Sequence, residues 1–348
     1  MREDLAFPLV FNKERLVARF VAPTGLAAEK VVEVRTDPIT GRTCRITYAR
    51  VDEKETGTAS LPVPPPTAVD RAGCPFCRPQ INRLTPQLPK GFADAGRLVC
   101  GNSVLFPNLF PYGSFSAVSL FDDRHFVEIG TADATSYADS FINCRQYLKR
   151  VLVMEPKAQY LAVTQNHLPS AGGSLVHPHL QVHADLVAPN HLRFLQARAD
   201  AYSQNQGRLL MSEYLKREIA SQERIIGSSG DWHWLAAFAP EGFYEIWAIL
   251  PGATSLIGVP TARWTELSSG LMRVQRFFRS LNRNGYNLGL VAVETPESRL
   301  ELRLRVVVRA NHAPWTRNDH TGYEVILGDM ATFTAPEETA AMARRFWE

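Results

Sequence analysis

Between Lys30 and Val51 the stretch "KVVEVRTDPITGRTCRITYARV" alternates β-favouring apolar residues with polar ones on either side of Asp37-Pro38-Ile39-Thr40-Gly41, which predicts a hairpin. The next segment, "GTASLPVPPPTAVDRAGCPFCRPQ", is broken by prolines that supply no ladder donor, so it reads as a surface loop delivering Cys74 and Cys77. "RLVCGNSVLFPNLFPYGSFSAVSLFDD" predicts paired strands interrupted at Pro107 and Pro111. From about Ala132 to Glu155 apolar residues recur at helical spacing behind a Thr/Asp start. Strands follow at "AQYLAVTQN" and "SLVHPHLQVHADLV", and then one long polar helix, "PNHLRFLQARADAYSQNQGRLLMSEYLKREIASQ". The order then recurs: strands at "WHWLAAFAP" and "YEIWAILP", a helix at "TARWTELSSGLMRVQRFFRSLNRNG", and strands at "YNLGLVAVE" and "LELRLRVVVRA". Strands, one long helix and two more strands, twice, predict an α+β protein built by internal duplication, each half an antiparallel sheet with a long helix packed on it. The expected division is residues 1–200 and 201–348.

Composition narrows the class. With 348 residues, 45% hydrophobic and 21% charged, the chain can bury a substantial core and is neither disordered nor fibrous. A net charge of +3, from 38 basic and 35 acidic residues, creates no field suited to nucleic acid or to a membrane surface. No apolar run reaches the ~20 residues that span a bilayer, and the charged start "MREDLAFPLVFNKERL" does not read as a secretory signal. A cytoplasmic protein is expected. Of the five cysteines only Cys74 and Cys77 are close, and in a reducing compartment a Cys-x-x-Cys pair reads as a metal half-site or a redox pair.

The chemistry concentrates in "QNHLPSAGGSLVHPHLQVHAD". In an extended strand His177, His179, Gln181 and His183 share one face, while Leu180, Val182 and Ala184 take the other. Pro178 confines this strand to an edge or irregular position, where ligands gain access. A loop of Gly172, Gly173 and Ser174 precedes the run; glycines permit close approach of backbone N–H groups to an anion and the serine adds a donor, so the loop can cradle phosphate. An imidazole beside a cradled phosphate is a candidate nucleophile.

These residues, read as N-x(6)-G-S-x-x-HPH-x-Q, resemble the active-site strand of galactose-1-phosphate uridylyltransferase and its relatives in the histidine-triad (HIT-like) superfamily. Further matches fall in order: "DPITGR" at 37–42, "CPFC" at 74–77, "FPNLFP" at 106–111, "FDDRHF" at 121–126 and "GYE" at 322–324. The resemblance covers roughly residues 30 to 330. It implies that His179 attacks the α-phosphorus of a nucleoside diphosphate sugar and holds the nucleoside monophosphate as a phosphoramidate. A sugar 1-phosphate, or inorganic phosphate, then takes the nucleotidyl group. Gln181 fits transfer rather than hydrolysis, because an amide can donate a hydrogen bond to a phosphoryl oxygen but cannot protonate a poor leaving group.

By the same resemblance Asn166, Gly172, Gly173 and Ser174 contact phosphate, Asn108 contacts the nucleotide, and Phe110 stacks or packs on the base. Cys74, Cys77, His125 and His177 match the family's structural zinc ligands, and zinc is the expected cofactor. Some relatives bind iron; the corresponding positions here fall at or beside Leu195, Val291, Arg303 and Arg305, which cannot ligate it, so no iron is expected. Tyr323 and Glu324 match positions that reach the partner's sugar site in the family dimer, which implies a homodimer. The segment around "RNDHTGYEVILGDM" lacks the basic and amide residues of the galactose enzyme, which leaves the acceptor open. Arg35, Arg42 and Arg50, near the first hairpin, could reach phosphates or simply be surface charge. The readings carried forward are a sugar 1-phosphate nucleotidyltransferase, a nucleoside diphosphate sugar phosphorylase, and a nucleotide-binding protein without turnover.

Overall fold

The structure, a computed structural model, describes residues 8–47, 61, 63–65, 68, 70–311 and 319–348. Two sheets organise it. Strands β1 (Asn12–Val21), β2 (Ala27–Thr36), β3 (Thr43–Ile46) and β14 (Met330–Thr332) form a four-stranded sheet in which β14 runs parallel to β3, so both ends of the chain contribute. The expected turn is present: the Asp37 carboxylate accepts from Ile39 N, Thr40 N and Thr40 Oγ1, and Gly41 closes it at φ +71°. Strand β1 was not anticipated; all ten of its residues are exposed, so no buried face gives it a period-2 signal. Arg50, at the far end of the anticipated hairpin, lies outside the described residues.

The second sheet has ten strands: β4 (Leu98–Cys100), β5 (Ser103–Pro107), β6 (Phe115–Leu120), β8 (His179–Asp185), β7 (Tyr160–His167), β12 (Gly285–Val293), β13 (Arg303–Arg309), β11 (Ile246–Ile249), β10 (Trp232–Ala236) and β9 (Ile225–Ser229), in that spatial order. The order is symmetric about the β7–β12 pair, with β8 and β13 in corresponding places, as duplication requires.

Helices α2 (Ala134–Met154) and α5 (Thr261–Ser280) lie side by side under one face. Helix α2 begins at Asp133, whose side chain accepts from Thr135 N at 3.0 Å, and buries Tyr137, Phe141, Cys144, Leu148 and Val151 at helical spacing. Its Phe141 stacks on Trp264 of α5 at 5.6 Å, within a core that also holds Leu180, Val182 and Ala184 of β8 and Leu304, Val306 and Val308 of β13. Where the halves meet, Tyr286 accepts from Gln275 and donates to Gln165, both at 3.0 Å, and shares a hydrogen bond with Tyr137.

The opposite face of the second half is covered by α3 (Asn190–Gln206) and α4 (Leu210–Ser221). One long helix was expected here; Gly207 ends α3 in the left-handed conformation at φ +64°, so two helices form. Among the described residues the corresponding face of the first half is covered near α1 (Ile81–Leu84), where Phe76, Ile81, Phe106, Val118 and Leu120 pack together. The rest of that face carries the polar residues of β8. No helix among the described residues is long and apolar enough to cross a membrane.

Candidate active site and metal centre

The strand β8 starts at His179, not at the expected Ser174, because Pro178 has no N–H to enter the ladder. His179, Gln181 and His183 therefore share the open face, paired across β6 with Leu120, Val118 and Ser116. His177 lies before the strand and does not join this row. Its ring turns toward the two cysteines instead.

Cys74 and Cys77 sit in a tight turn in which Cys77 N donates to Cys74 O at 3.2 Å, and Ile81 N donates back to Cys77 O at 2.9 Å. Nδ1 of His125 lies 3.3 Å from Cys77 Sγ, and Nδ1 of His177 lies 3.5 Å from Cys77 Sγ and 3.9 Å from Cys74 Sγ. All four ligand atoms fall within 4.8 Å of one another and all four residues are buried. A tetrahedral ion with bonds near 2.3 Å to sulfur and 2.0–2.1 Å to nitrogen has ligand-to-ligand edges of about 3.3–3.8 Å, so these residues fit a metal ion. The other ring nitrogen of His177 donates to the Asp122 carbonyl at 3.3 Å, an outer hydrogen bond that presents Nδ1 to the cluster. Asp122 is itself held: its carboxylate takes Arg124 N at 2.9 Å and Ser136 Oγ at 2.9 Å.

His179 is 8% exposed, and Nδ1 donates to the His177 carbonyl at 2.7 Å. That bond assigns the proton to Nδ1 and leaves the Nε2 lone pair free. Burial lowers the pKa of the ring, partly opposed by the bond to His177, so the imidazole is neutral near pH 7. Phe76 packs its ring at 5.3 Å from His179, edge to face. On the next rung of β8 the Gln181 amide has no hydrogen-bond partner among the described residues, and Thr164 of β7 pairs opposite it.

Asn166, near the end of β7, accepts at Oδ1 from Asn287 Nδ2 at 2.7 Å, which fixes the amide with its own N–H groups directed away from β12. Asn287 also donates to the Ala171 carbonyl at 2.8 Å and so ties the Gly-Gly-Ser loop to the sheet. Within that loop the structure departs from expectation. Gly172 N donates to Pro169 O and Gly173 N to Leu168 O, each at 3.0 Å, so neither glycine offers a free amide to an anion. Gly173 serves a different need: a Cβ there would stand 2.9 Å from Asn166 O and 3.0 Å from Leu168 O. Leu168 itself adopts φ +71°, a conformation rare outside glycine. Ser174 is exposed at the lip of the loop.

Asn108 and Phe110 lie on the connection from β5 to β6. Asn108 N donates to Ser116 O at 2.9 Å, and its side-chain oxygen caps Phe110 N at 3.1 Å, leaving the side-chain NH₂ for other partners. Ser116 pairs with His183, so this turn is level with the far end of β8, about 13 Å along the strand from His179. Phe110 is 77% exposed, and Tyr112 lies 6.0 Å from His183.

Tyr323 and Glu324 are elsewhere in the chain's own fold, on α6 (Gly322–Leu327). Glu324 accepts from Thr321 N at 3.0 Å in a capping box, and the Arg45 guanidinium lies over Tyr323 at 5.8 Å. Neither touches His179, Gln181 or Asn166 through a hydrogen bond or ring contact among the described residues. Arg35 is not free for phosphate: it is buried and bound to Glu337 and Glu33, while Arg42 pairs with Glu241 at 3.6 Å.

Sequence reasoning left three participants without a role. Phe76 and Asp122 stood inside the matched motifs "CPFC" and "FDDRHF". Asn287 carried no local signal, since only the β7–β12 pairing brings it to Asn166.

A buried Cys₂His₂ cluster beside a strand that presents a tautomer-fixed imidazole, on one half of a duplicated α+β sheet, is set in a HIT-like two-half fold. No protein-family model matches the chain. The chain is 27% identical over 341 residues to an uncharacterized protein of Archaeoglobus fulgidus, covering 97% of this chain and 98% of that one. It is 32% identical over 113 residues to galactose-1-phosphate uridylyltransferase of Haemophilus influenzae, 32% of this chain and 30% of that enzyme. Its fold matches an ADP-glucose phosphorylase from Arabidopsis thaliana, solved with bound ADP-glucose, at a TM-score of 0.69 and 20% identity, covering 90% of this chain and 98% of that one. Over about a third of its length the chain is similar to galactose-1-phosphate uridylyltransferase, and over nine-tenths of it the fold is that of the ADP-glucose phosphorylase structure.

Proposed function

We propose that the protein is a nucleotidyltransferase acting through a covalent nucleotidyl-histidine. The observation that carries this reading is His179 with Nδ1 bonded to a carbonyl and Nε2 free, on the same strand face as the unpartnered amide of Gln181. His179 Nε2 attacks the α-phosphorus of a nucleoside diphosphate sugar. The bond from that phosphorus to the bridging oxygen breaks, and the electron pair leaves with the sugar 1-phosphate. An acceptor phosphate oxygen then attacks the same phosphorus, the phosphorus–nitrogen bond breaks, and the imidazole is regenerated.

Gln181 donates its amide N–H to the phosphoryl oxygens as charge builds on them. Asn166 and Ser174 hold the phosphates, with Gly172 and Gly173 shaping the loop. The nucleoside runs along β8 toward Asn108, with its base beside Phe110; the ~13 Å between the two ends suits a nucleoside monophosphate. The metal ion is proposed as structural zinc held by Cys74, Cys77, His125 and His177, and its contribution is to fix His177 and hence the carbonyl that orients His179. Tyr323 and Glu324 are assigned to the partner's sugar site in a homodimer. A sugar 1-phosphate is the proposed acceptor, with inorganic phosphate as the competing one.

Intact-protein mass spectrometry after incubation with UDP-glucose, ADP-glucose or GDP-mannose, quenched without acid, tests this. A gain of one nucleoside monophosphate is expected, lost in His179→Ala while the fold persists. Retained labelling in His179→Ala refutes the nucleophile. Chasing the adduct with glucose 1-phosphate, galactose 1-phosphate or inorganic phosphate then separates transferase from phosphorylase. Tight nucleotide-sugar binding without adduct or turnover would point to a silent binding protein.

A further inference from the structure

Across the sheet from β8, strand β13 turns Leu304, Val306 and Val308 into the core and Arg303, Arg305, Val307 and Arg309 toward the other face. This is the same alternation as on β8, and by topology Arg303 occupies the place in the second half that His179 occupies in the first. A cavity of ≈ 350 Å³ opens here, lined among others by His191, Leu195, Phe243, Val291, Arg303 and Met330. From strand spacing and rise, Arg303 is roughly 19 Å from His179. It is a separate place.

Three cations reach the cavity wall and two are committed. Arg309 is bound to Asp319 at 2.9 Å and to Asn287 Oδ1 at 2.8 Å. Arg305 binds Glu241 at 3.1 Å and Glu245 at 2.8 Å. Glu245 is further occupied by Trp247 Nε1 at 2.6 Å and Glu241 N at 2.8 Å, and the buried carboxylate of Asp37 is taken up by its own turn. Arg303 differs: its guanidinium lies over the Trp247 ring at 4.1 Å and has no hydrogen bond or ion pair among the described residues. Five N–H donors are thus held in place by stacking; the carboxylates of Asp37, Glu241, Glu245 and Asp319 are already engaged, and Glu324 on the same wall gives one oxygen to its capping box and keeps Oε1 without a hydrogen bond among the described residues. Burial and then Arg303 itself push His191 down to about 4, so this imidazole is neutral and can accept or donate.

We infer that this cavity binds a small organic oxyanion, a carboxylate or a phosphate ester, through Arg303. The anionic group meets the stacked guanidinium, and an apolar body rests on Leu195, Phe243, Val291 and Met330. The chemistry follows from the wall: a desolvated guanidinium fork without an acceptor matches a planar or tetrahedral oxyanion, and the remaining lining is largely apolar.

The probes are phenyl phosphate and benzoate, with phenol as the uncharged control, titrated calorimetrically into the full-length metal-loaded protein. Binding of phenyl phosphate or of benzoate, but not of phenol, is expected, unchanged in His179→Ala and weakened at least tenfold in Arg303→Met. Arg303→Lys, which keeps the charge but loses the fork and the stack, should also weaken it, and unfolding curves of each variant check that the fold persists. The two anions separate the phosphate-ester class from the carboxylate class. Binding that ignores Arg303, binding that vanishes with His179, or no binding of either anion at millimolar concentration would overturn the inference. Failure of the nucleotidyl-enzyme experiment would not, because no step of this one uses His179.

Discussion

Replacing Glu337 by glutamine probes how the two ends of the chain are fastened. Glu337 opens α7 (Pro336–Arg344) and faces two buried guanidiniums: Arg35 Nη1 and Nη2 at 3.0 and 2.8 Å, and Arg224 Nη1 at 2.7 Å, with Lys13 at 3.3 Å on the rim. Arg35 retains Glu33 at 2.6 Å, and Arg224 retains Glu218 at 3.0 Å and Glu223 at 2.6 Å, so neither cation is orphaned by the change. The loss should therefore fall below the roughly 3–5 kcal/mol of an abandoned buried charge. An independent route gives a similar figure. Burial works against the charge of Glu337, yet Arg35 and Arg224 prevail and hold its carboxyl at about 2 against an ordinary 4.5. At about 1.4 kcal/mol per unit that bounds the carboxylate's contribution near 3.5 kcal/mol, less some screening because the side chain is 28% exposed. The expected penalty at pH 7 is about 2–3 kcal/mol, read from urea unfolding by tryptophan fluorescence. The sign with pH follows from a depressed carboxyl: its contribution is complete above about 4.5 and fades as pH falls toward about 2. The gap between wild type and Glu337→Gln should narrow on acidification, and the acid lability of the Cys/His cluster, common to both proteins, cancels in the difference. A penalty under about 0.5 kcal/mol at pH 7, the scale of an ordinary surface change, or a gap that stays constant on acidification, would refute the clamp.

Two further outcomes follow from the site. Cys77→Ser should lose the metal by elemental analysis and lower the melting temperature, since Cys77 is the sulfur closest to both histidines; full retention of metal would reject the ligand set. Gly173→Ala should reduce turnover by tenfold or more, because its Cβ meets two backbone oxygens that cannot move without the loop. Gly172→Ala meets open space and carries only the left-handed penalty of about 1 kcal/mol, so it should affect stability more than rate; equal loss of activity in both would remove the distinction.

Helices α2 and α5 were legible because a buried stripe imposes its period on the sequence. Strand β1 was hidden for the converse reason, since "NKERLVARFV" buries nothing. That Cys74, Cys77, His125 and His177 come together was legible through the family resemblance, but the path of the chain through them was not: Pro178 delays the strand and frees His177 to turn aside. The Gly-Gly-Ser loop was placed correctly while its mechanics were misread, because hydrogen bonds to Leu168 and Pro169 depend on a turn whose first residue, Leu168, adopts a backbone that composition does not announce. Asn287 and the stacking of Arg303 on Trp247 arise from pairing of distant strands, a signal that no local window contains.

The duplicated strands explain why chemistry diverges on one face only. On β8 and β13 the residues under α2 and α5 are leucine, valine and alanine in the first half and leucine, valine and valine in the second, because packing in a shared core tolerates little else. The outward positions escape that constraint, and there one half carries His179, Gln181 and His183 while the other carries Arg303, Arg305 and Arg309. Between them Thr164 and Gly289 pair in register across the central strands, small residues that leave the face open from Gln181 to Arg305. Exchanging side chains along this row changes what the protein can hold without touching what folds it. A functional residue on this sheet is therefore to be sought at odd-numbered positions of β8 and β13, and a stability defect at the even ones.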